Sequence, residues 1–199
     1  LQQNWDLTKN FGQFTTTGAN DTLNGIESLV GTAYNDSLTG NDQANILTGG
    51  LGNDTLNGLA GADTLVGGGG DDIYNFAIGG GADTVVEAAG AGGGVDTLAF
   101  SGAITHRDLW FSRTANTADL KVSVLGTTDS VTIDNWFSGA GEYAIEYFQA
   151  PNANRTLVNA SVNQLVSAMA QFNGGLIPTN SMAVSTSPYL VSQINASWY

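Results

Sequence analysis

The chain has 199 residues, with 27 glycines, 18 acidic and 5 basic residues, one histidine and no cysteine, for a formal net charge of −13. That charge excludes a nucleic-acid partner, because a duplex presents one negative charge per ~1.7 Å and selects a basic face, and it disfavours anionic membrane surfaces. Without cysteine there is no disulfide, thiolate nucleophile or cysteine-based zinc site, and His106 alone builds no histidine-rich metal centre.

No apolar run is long enough to cross a bilayer as a helix. The opening LQQNWDLTKN lacks a charged region followed by an apolar one, so no amino-terminal signal peptide is expected. A chain beginning at Leu1 rather than Met reads as part of a longer protein, with any catalytic domain upstream. Residues 1–104 hold 22 of the 27 glycines and 12 acids against one base, Lys9, whereas 105–199 hold six acids and four bases. From Thr156 to Tyr199 no residue is charged. These shifts divide the chain into 1–104, 105–172 and 173–199.

The first zone has a period of nine. From Gly31 it reads GTAYNDSLT, GNDQANILT, GGLGNDTLN, GLAGADTLV, GGGGDDIYN. Position 1 is Gly31, Gly40, Gly49, Gly58 and Gly67; position 6 is Asp36, Asn45, Asp54, Asp63 and Asp72; position 8 is Leu38, Leu47, Leu56, Leu65 and Tyr74. A flexible linker has no reason to keep one large apolar residue at a fixed interval. Glycines at positions 1, 2 and 4 (Gly50, Gly68; Gly52, Gly61, Gly70) supply tight turns. Positions 7–9 then form a short strand with its apolar residue inward. Two nonapeptides make one coil, which stacks Asp36, Asp54 and Asp72 along one edge and Asn45 with Asp63 along the other. Looser copies at Asn20–Leu23, Ala82–Val85 (with Asp83) and Val95–Leu98 read as extra coils.

Coils about 4.8 Å apart place these carboxylates within repulsive range of one another. With one lysine in the zone, the compensating charge must come from solution. Calcium fits, because it takes 6–8 oxygens and tolerates irregular cages of carboxylates and backbone carbonyls. Magnesium demands a stricter octahedron, and zinc or copper would want imidazole or thiolate. The expected ligand set is Asp36, Asp54, Asp72, Asp63, Asn45 and Asp83, the glycines Gly31, Gly49, Gly50, Gly52, Gly58, Gly61, Gly67, Gly68 and Gly70, and Asn53 and Asp71. These are expected to hold roughly 3–5 Ca²⁺ ions, with the Asn45 edge weaker.

GGLGNDTLN matches at every specified position the pattern G-G-x-G-x-D-x-U-x, and so resembles the RTX calcium-binding β-roll. Gly25–Gly31 is similar to the lead-in before such repeats in secreted bacterial proteins. The resemblance implies a mostly β fold: a parallel, calcium-loaded, right-handed β-solenoid over 1–104, followed by a small β-rich cap with one or two short helices. It also implies a secreted, extracellular or cell-surface location.

In the middle zone, strands are expected over Asp108–Ser112, Asp119–Leu125, Asp129–Phe137 and Ala144–Gln149, with a hairpin turn at Gly126–Thr128. A helix is expected over Ser161–Phe172, capped by Ser161 with Gln164, with Val162, Leu165, Val166 and Met169 on one face and Asn173–Gly175 ending it. Residues 107–172 resemble the domain that follows RTX repeats in haemolysin-type calcium-binding proteins, and covering the last open coil is its expected role. Trp110, Phe111, Trp136 and Phe137 are expected in the core; an alternative is a platform for a polysaccharide such as alginate. His106 reads as a junction residue rather than a catalytic base, and Glu142 with Glu146 as an exposed pair. No catalytic residue is assigned.

The last zone carries a helical pattern with Ser187 as N-cap, Pro188 at N1, and Leu190, Val191, Ile194 and Trp198 on one face. Behind RTX repeats, this uncharged end resembles the uncleaved signal for type I secretion, which makes that apparatus an expected partner.

Overall fold

The computed structural model describes residues 27–87, 94–138, 145–150, 155–171 and 188–198. Eight short strands come first: β1 (Ser28–Val30), β2 (Ser37–Thr39), β3 (Ile46–Leu51), β4 (Thr55–Asn57), β5 (Thr64–Gly69), β6 (Ile73–Phe76), β7 (Ala82–Val86) and β8 (Thr97–Phe100). They alternate between two sheets, odd strands in one and even strands in the other, and neighbours within each sheet are parallel. A chain that changes sheet at every strand while advancing one strand spacing per turn is a β-roll.

The register follows the repeat. Leu29, Leu47, Leu65 and Val85 pair in one sheet, and Leu38, Leu56, Tyr74 and Leu98 in the other. All but the partly buried Leu29 belong to the buried core. Each such rung contributes about 2 kcal/mol relative to exposure. Coils of 18 residues lengthen to 20 and 24 at the later turns, as the spacings of Asp63 to Asp83 and Asp72 to Asp96 show.

The second part comprises β9 (Leu109–Arg113), β10 (Leu120–Val124), β11 (Ser130–Ile133), β12 (Tyr147–Ala150), β13 (Arg155–Val158), α1 (Asn159–Gln171) and α2 (Pro188–Ser197). Strand β11 lies parallel to β7, and β12 parallel to β8, so both sheets run on past residue 104. Strands β10 and β9 then continue one sheet antiparallel, and β13 the other. Helix α1 packs on both outer strands, β9 and β13. The Phe111 N–H donates to Met169 Sδ at 3.0 Å, so the helix covers an edge that would otherwise template pairing with another chain.

Three local expectations shift. The strand expected to reach Phe137 ends at Ile133, because Asn135 turns the chain with φ 55°. The helix starts at Asn159, so Ser161 lies inside its first turn rather than capping it, and β13 directly before it was not expected. The α1 face buries Val162, Leu165, Ala168 and Met169, while Val166 is partly buried. The Asn20–Leu23 copy, Ala144, the Asn173–Gly175 stop and Ser187 lie outside the described residues.

Candidate metal centre

The turns from β1 to β2, β3 to β4 and β5 to β6 each begin at a position-1 glycine and end at a position-6 acid. The backbone N–H of Asp36 donates to Asp54 Oδ1 at 2.8 Å, that of Asp54 to Asp72 Oδ1 at 2.8 Å, and that of Asp72 to Asp96 Oδ1 at 2.8 Å. The ladder then enters the cap, where the Asp96 N–H donates to Glu146 Oε2 at 2.8 Å. On the opposite edge the Asn45 N–H donates to Asp63 Oδ1 at 2.8 Å and the Asp63 N–H to Asp83 Oδ1 at 3.0 Å. There the cap supplies Asp129, which accepts the N–H groups of Gly79 and Gly81. One oxygen of each rung thus stitches coil to coil.

The other oxygen points into the turn. Above Gly49, the space that a Cβ would fill is taken by Asp54 Oδ2 and, at 2.6 Å, the Gly67 carbonyl oxygen of the next coil. Gly31 likewise sits against Asp36 and the Gly49 carbonyl, Gly40 against Asn45 and the Gly58 carbonyl, and Gly58 and Gly67 against the Oδ2 atoms of Asp63 and Asp72. At Gly50, with φ 118°, only glycine brings the backbone onto the Thr32 carbonyl without strain. Gly52, Gly61, Gly68 and Gly70 share the positive φ, and each stacks on the backbone of the previous coil. The Gly31 and Gly49 turns therefore present a carboxylate oxygen beside a carbonyl oxygen of the next coil, a donor set suited to calcium.

Asp54, Asp63 and Asp72 are 1%, 1% and 0% exposed, and the Oδ2 of each has no hydrogen-bond partner. A buried carboxylate oxygen without donor or cation is costly, and no lysine or arginine occurs between Lys9 and Arg107. These oxygens fit an oxygen-seeking divalent cation. Among the described residues no three Asp, Glu, His or Cys side chains form a ready-made metal cluster. The remaining ligands would have to be backbone carbonyls, as the glycine turns provide.

Burial raises the apo carboxyls in agreement. Asp54 is pushed up to about 6, chiefly by desolvation, with Asp72 and Asp36 adding repulsion. Asp83 is pushed up to about 7 and Asp96 to about 6, again mainly by burial. Asp63 and Asp72 are raised for the same reason.

The turns are not equivalent. Asp36 Oδ2 accepts the Thr32 N–H at 2.6 Å and the Thr32 hydroxyl at 2.9 Å. Asn45 Oδ1 accepts the Asn41 N–H at 2.7 Å. Where position 2 is not glycine in these first two repeats, its N–H thus occupies the inward oxygen. Asn53 and Asp71, expected as ligands, lie on the outside of the turns, where their Oδ1 atoms accept the N–H groups of Asp71 and Val95. They extend an outer ladder that starts with Asn35 accepting from Asn53.

Sequence reasoning left Asp96, Asp129, Glu146 and Glu87 out of the site. Asp96 was detectable from Val95-Asp96-Thr97-Leu98; Glu146, read as an exposed acid, is the last rung of the ladder. Glu142 lies outside the described residues. Trp110, Phe111 and Trp136 are buried, and Arg113 sits 4.9 Å from the Phe137 ring, so these aromatics form no exposed platform. His106 is buried against Trp198, with ring centres 5.8 Å apart, and its Nε2 lies 3.5 Å from Asn195 Oδ1.

The family model of the RTX calcium-binding nonapeptide repeat (4 copies) matches residues 21–56 and 48–85. That of the haemolysin-type calcium binding protein related domain matches residues 119–149. RTX repeats occur in secreted bacterial proteins, and no helix among the described residues is long and apolar enough to cross a membrane. The buried carboxylate ladders and the two matches agree: residues 21–85 carry RTX calcium-binding nonapeptide repeats, which indicate a calcium-binding module, and residues 119–149 resemble the haemolysin-type calcium-binding related domain.

Proposed function

We propose that this module is non-catalytic, folds on meeting extracellular calcium, and supports type I secretion and stability of a larger secreted protein. The observation that carries the reading is the set of buried, unpartnered Asp54, Asp63 and Asp72 oxygens in a region without basic residues. Calcium that binds the closed turns and hardly the open chain stabilises folding by RT ln(1 + [L]/Kd) per site. Extracellular modules bind at about 10⁻⁴–10⁻³ M, far above the calcium level inside a cell. The chain is then open during export and closed outside. Roughly 3–5 ions is the number expected for the turns with an inward acid.

The uncharged stretch from Thr156 to Tyr199 supports an export address. In the folded chain its end is docked: Ile194 and Trp198 are buried, and Trp198 bridges to Leu157. An address of this kind is read before folding.

The test fuses the chain to a passenger in a cell carrying a type I apparatus, with and without residues 188–199. Loss of export with calcium binding retained supports the reading; equal export of both overturns the secretion role. Turnover of any substrate by this chain that His106→Ala abolishes would overturn the non-catalytic part.

A further inference from the structure

The row of position-1 glycines breaks at the fourth coil. Gly31, Gly49 and Gly67 occupy one register, each a single residue beyond the paired Val30, Thr48 and Val66. Val66 pairs with Val86, so the next place in the row belongs to Glu87. At every earlier place a side chain is excluded because the Cβ volume is the cradle itself. Glu87 instead brings a side chain to this place in the row, and it is 5% exposed with Oε1 unpartnered.

The adjoining cradle is also altered. Above Gly67 stand Asp72 Oδ2 and the Tyr74 hydroxyl, where Gly31 and Gly49 face the carbonyl of the next coil. Tyr74 replaces the leucine of position 8, is fully buried, and its hydroxyl oxygen accepts the Gly67 N–H at 2.8 Å. Glu87 lies close enough to this hydroxyl to act on it electrostatically, and the charged neighbours acting on Glu87 are Asp96 and Asp72. Asp72 Oδ2 and Glu87 Oε1, two buried carboxylate oxygens without partners, thus belong to two acids that act on this one hydroxyl.

We infer that Glu87 is a calcium ligand, which with Asp72 and the Tyr74 hydroxyl forms a position at the junction with the cap that the nonapeptide pattern does not encode. The inference rests on the calcium reading above. A second side-chain carboxylate where other turns offer one makes this the tightest position of the roll, because affinity rises with ligand charge. It sits beside the Asp96–Glu146 rung, so the first ion secures the junction of roll and cap.

The test is calorimetric titration of the full chain with calcium, alongside Glu87→Gln and Glu87→Gly, the latter restoring the glycine of the row. Circular dichroism in saturating calcium checks that each variant folds. The tightest class in the wild-type chain should lose one ion, or weaken at least about tenfold, in both variants. Asp54→Asn should remove a different ion. Wild-type stoichiometry and affinities in both variants would make Glu87 a protonated space-filler and overturn the inference alone. A wild-type chain that binds no calcium overturns the calcium reading together with it. Variants that do not fold are tested by terbium emission excited through Tyr74, compared between the wild-type chain and Tyr74→Phe. A drop in the first-filled emission supports the site, and equal emission overturns it.

Discussion

Leu59 stands at position 2 of its repeat with φ 69°, where Gly50 and Gly68 take 118° and 111°. A residue with a Cβ is strained in the left-handed region by about 1–2 kcal/mol, part of which glycine returns as chain entropy. Leu59→Gly should therefore stabilise the calcium-loaded chain by up to about 1 kcal/mol, read as a higher midpoint in thermal unfolding. The spacing of Asp54, Asp63 and Asp72 was legible because an acid at every ninth residue, always five places after a glycine, stacks into a row only in a coiled turn. Glu87 and Glu146 were not, because each replaces a motif residue by register rather than by type. Register across a loop of changed length is a property of the folded sheet, not of local sequence.

At the scale of the turn and the ladder, the inward oxygen decides what each rung does. Asp54→Asn and Asp72→Asn should each remove an ion-facing charge and lower stability in saturating calcium by about 2 kcal/mol, the linkage energy of one site filled well above its Kd. Asp36→Asn should cost less calcium affinity, because Thr32 already occupies Asp36 Oδ2. Denaturant titration at fixed calcium distinguishes the three variants.

The ladder also predicts two opposite pH responses. Asp54, Asp83 and Asp96 are raised to about 6, 7 and 6 in the apo fold, above their unfolded range. Below about pH 4 both states are protonated and this contribution to the apo fold is complete; it is lost as pH rises through 6–7. Without calcium, folded content should rise on acidification from pH 8 to 5. Protons compete with calcium for the same oxygens, so the calcium midpoint should move to higher concentration over that interval. Circular dichroism at matched pH, in chelator and in calcium, reads both.

Over the whole molecule, roll and cap share both sheets, and the cap supplies the last rung on each edge through Glu146 and Asp129. Composition divides the chain near residue 104, but hydrogen bonding does not. Glu146→Ala leaves the Asp96 N–H without its acceptor and should cost about 1–3 kcal/mol. The loss should appear as a shifted single transition, because roll and cap unfold together; two separate transitions would contradict that coupling. The alternating strands of the cap were readable from their period of two, as in Leu120, Val122 and Val124. Their parallel docking on β7 and β8 was not, since no local pattern specifies which strand a long connection returns to.

Buried carboxylate rows that lack a counter-charge should keep the roll open until calcium enters. Far-ultraviolet circular dichroism of the full chain at neutral pH, titrated from excess chelator to millimolar calcium, follows that closure. A cooperative gain of β signal with a midpoint at about 10⁻⁴–10⁻³ M is the predicted result. The same β content in excess chelator as in millimolar calcium would contradict it.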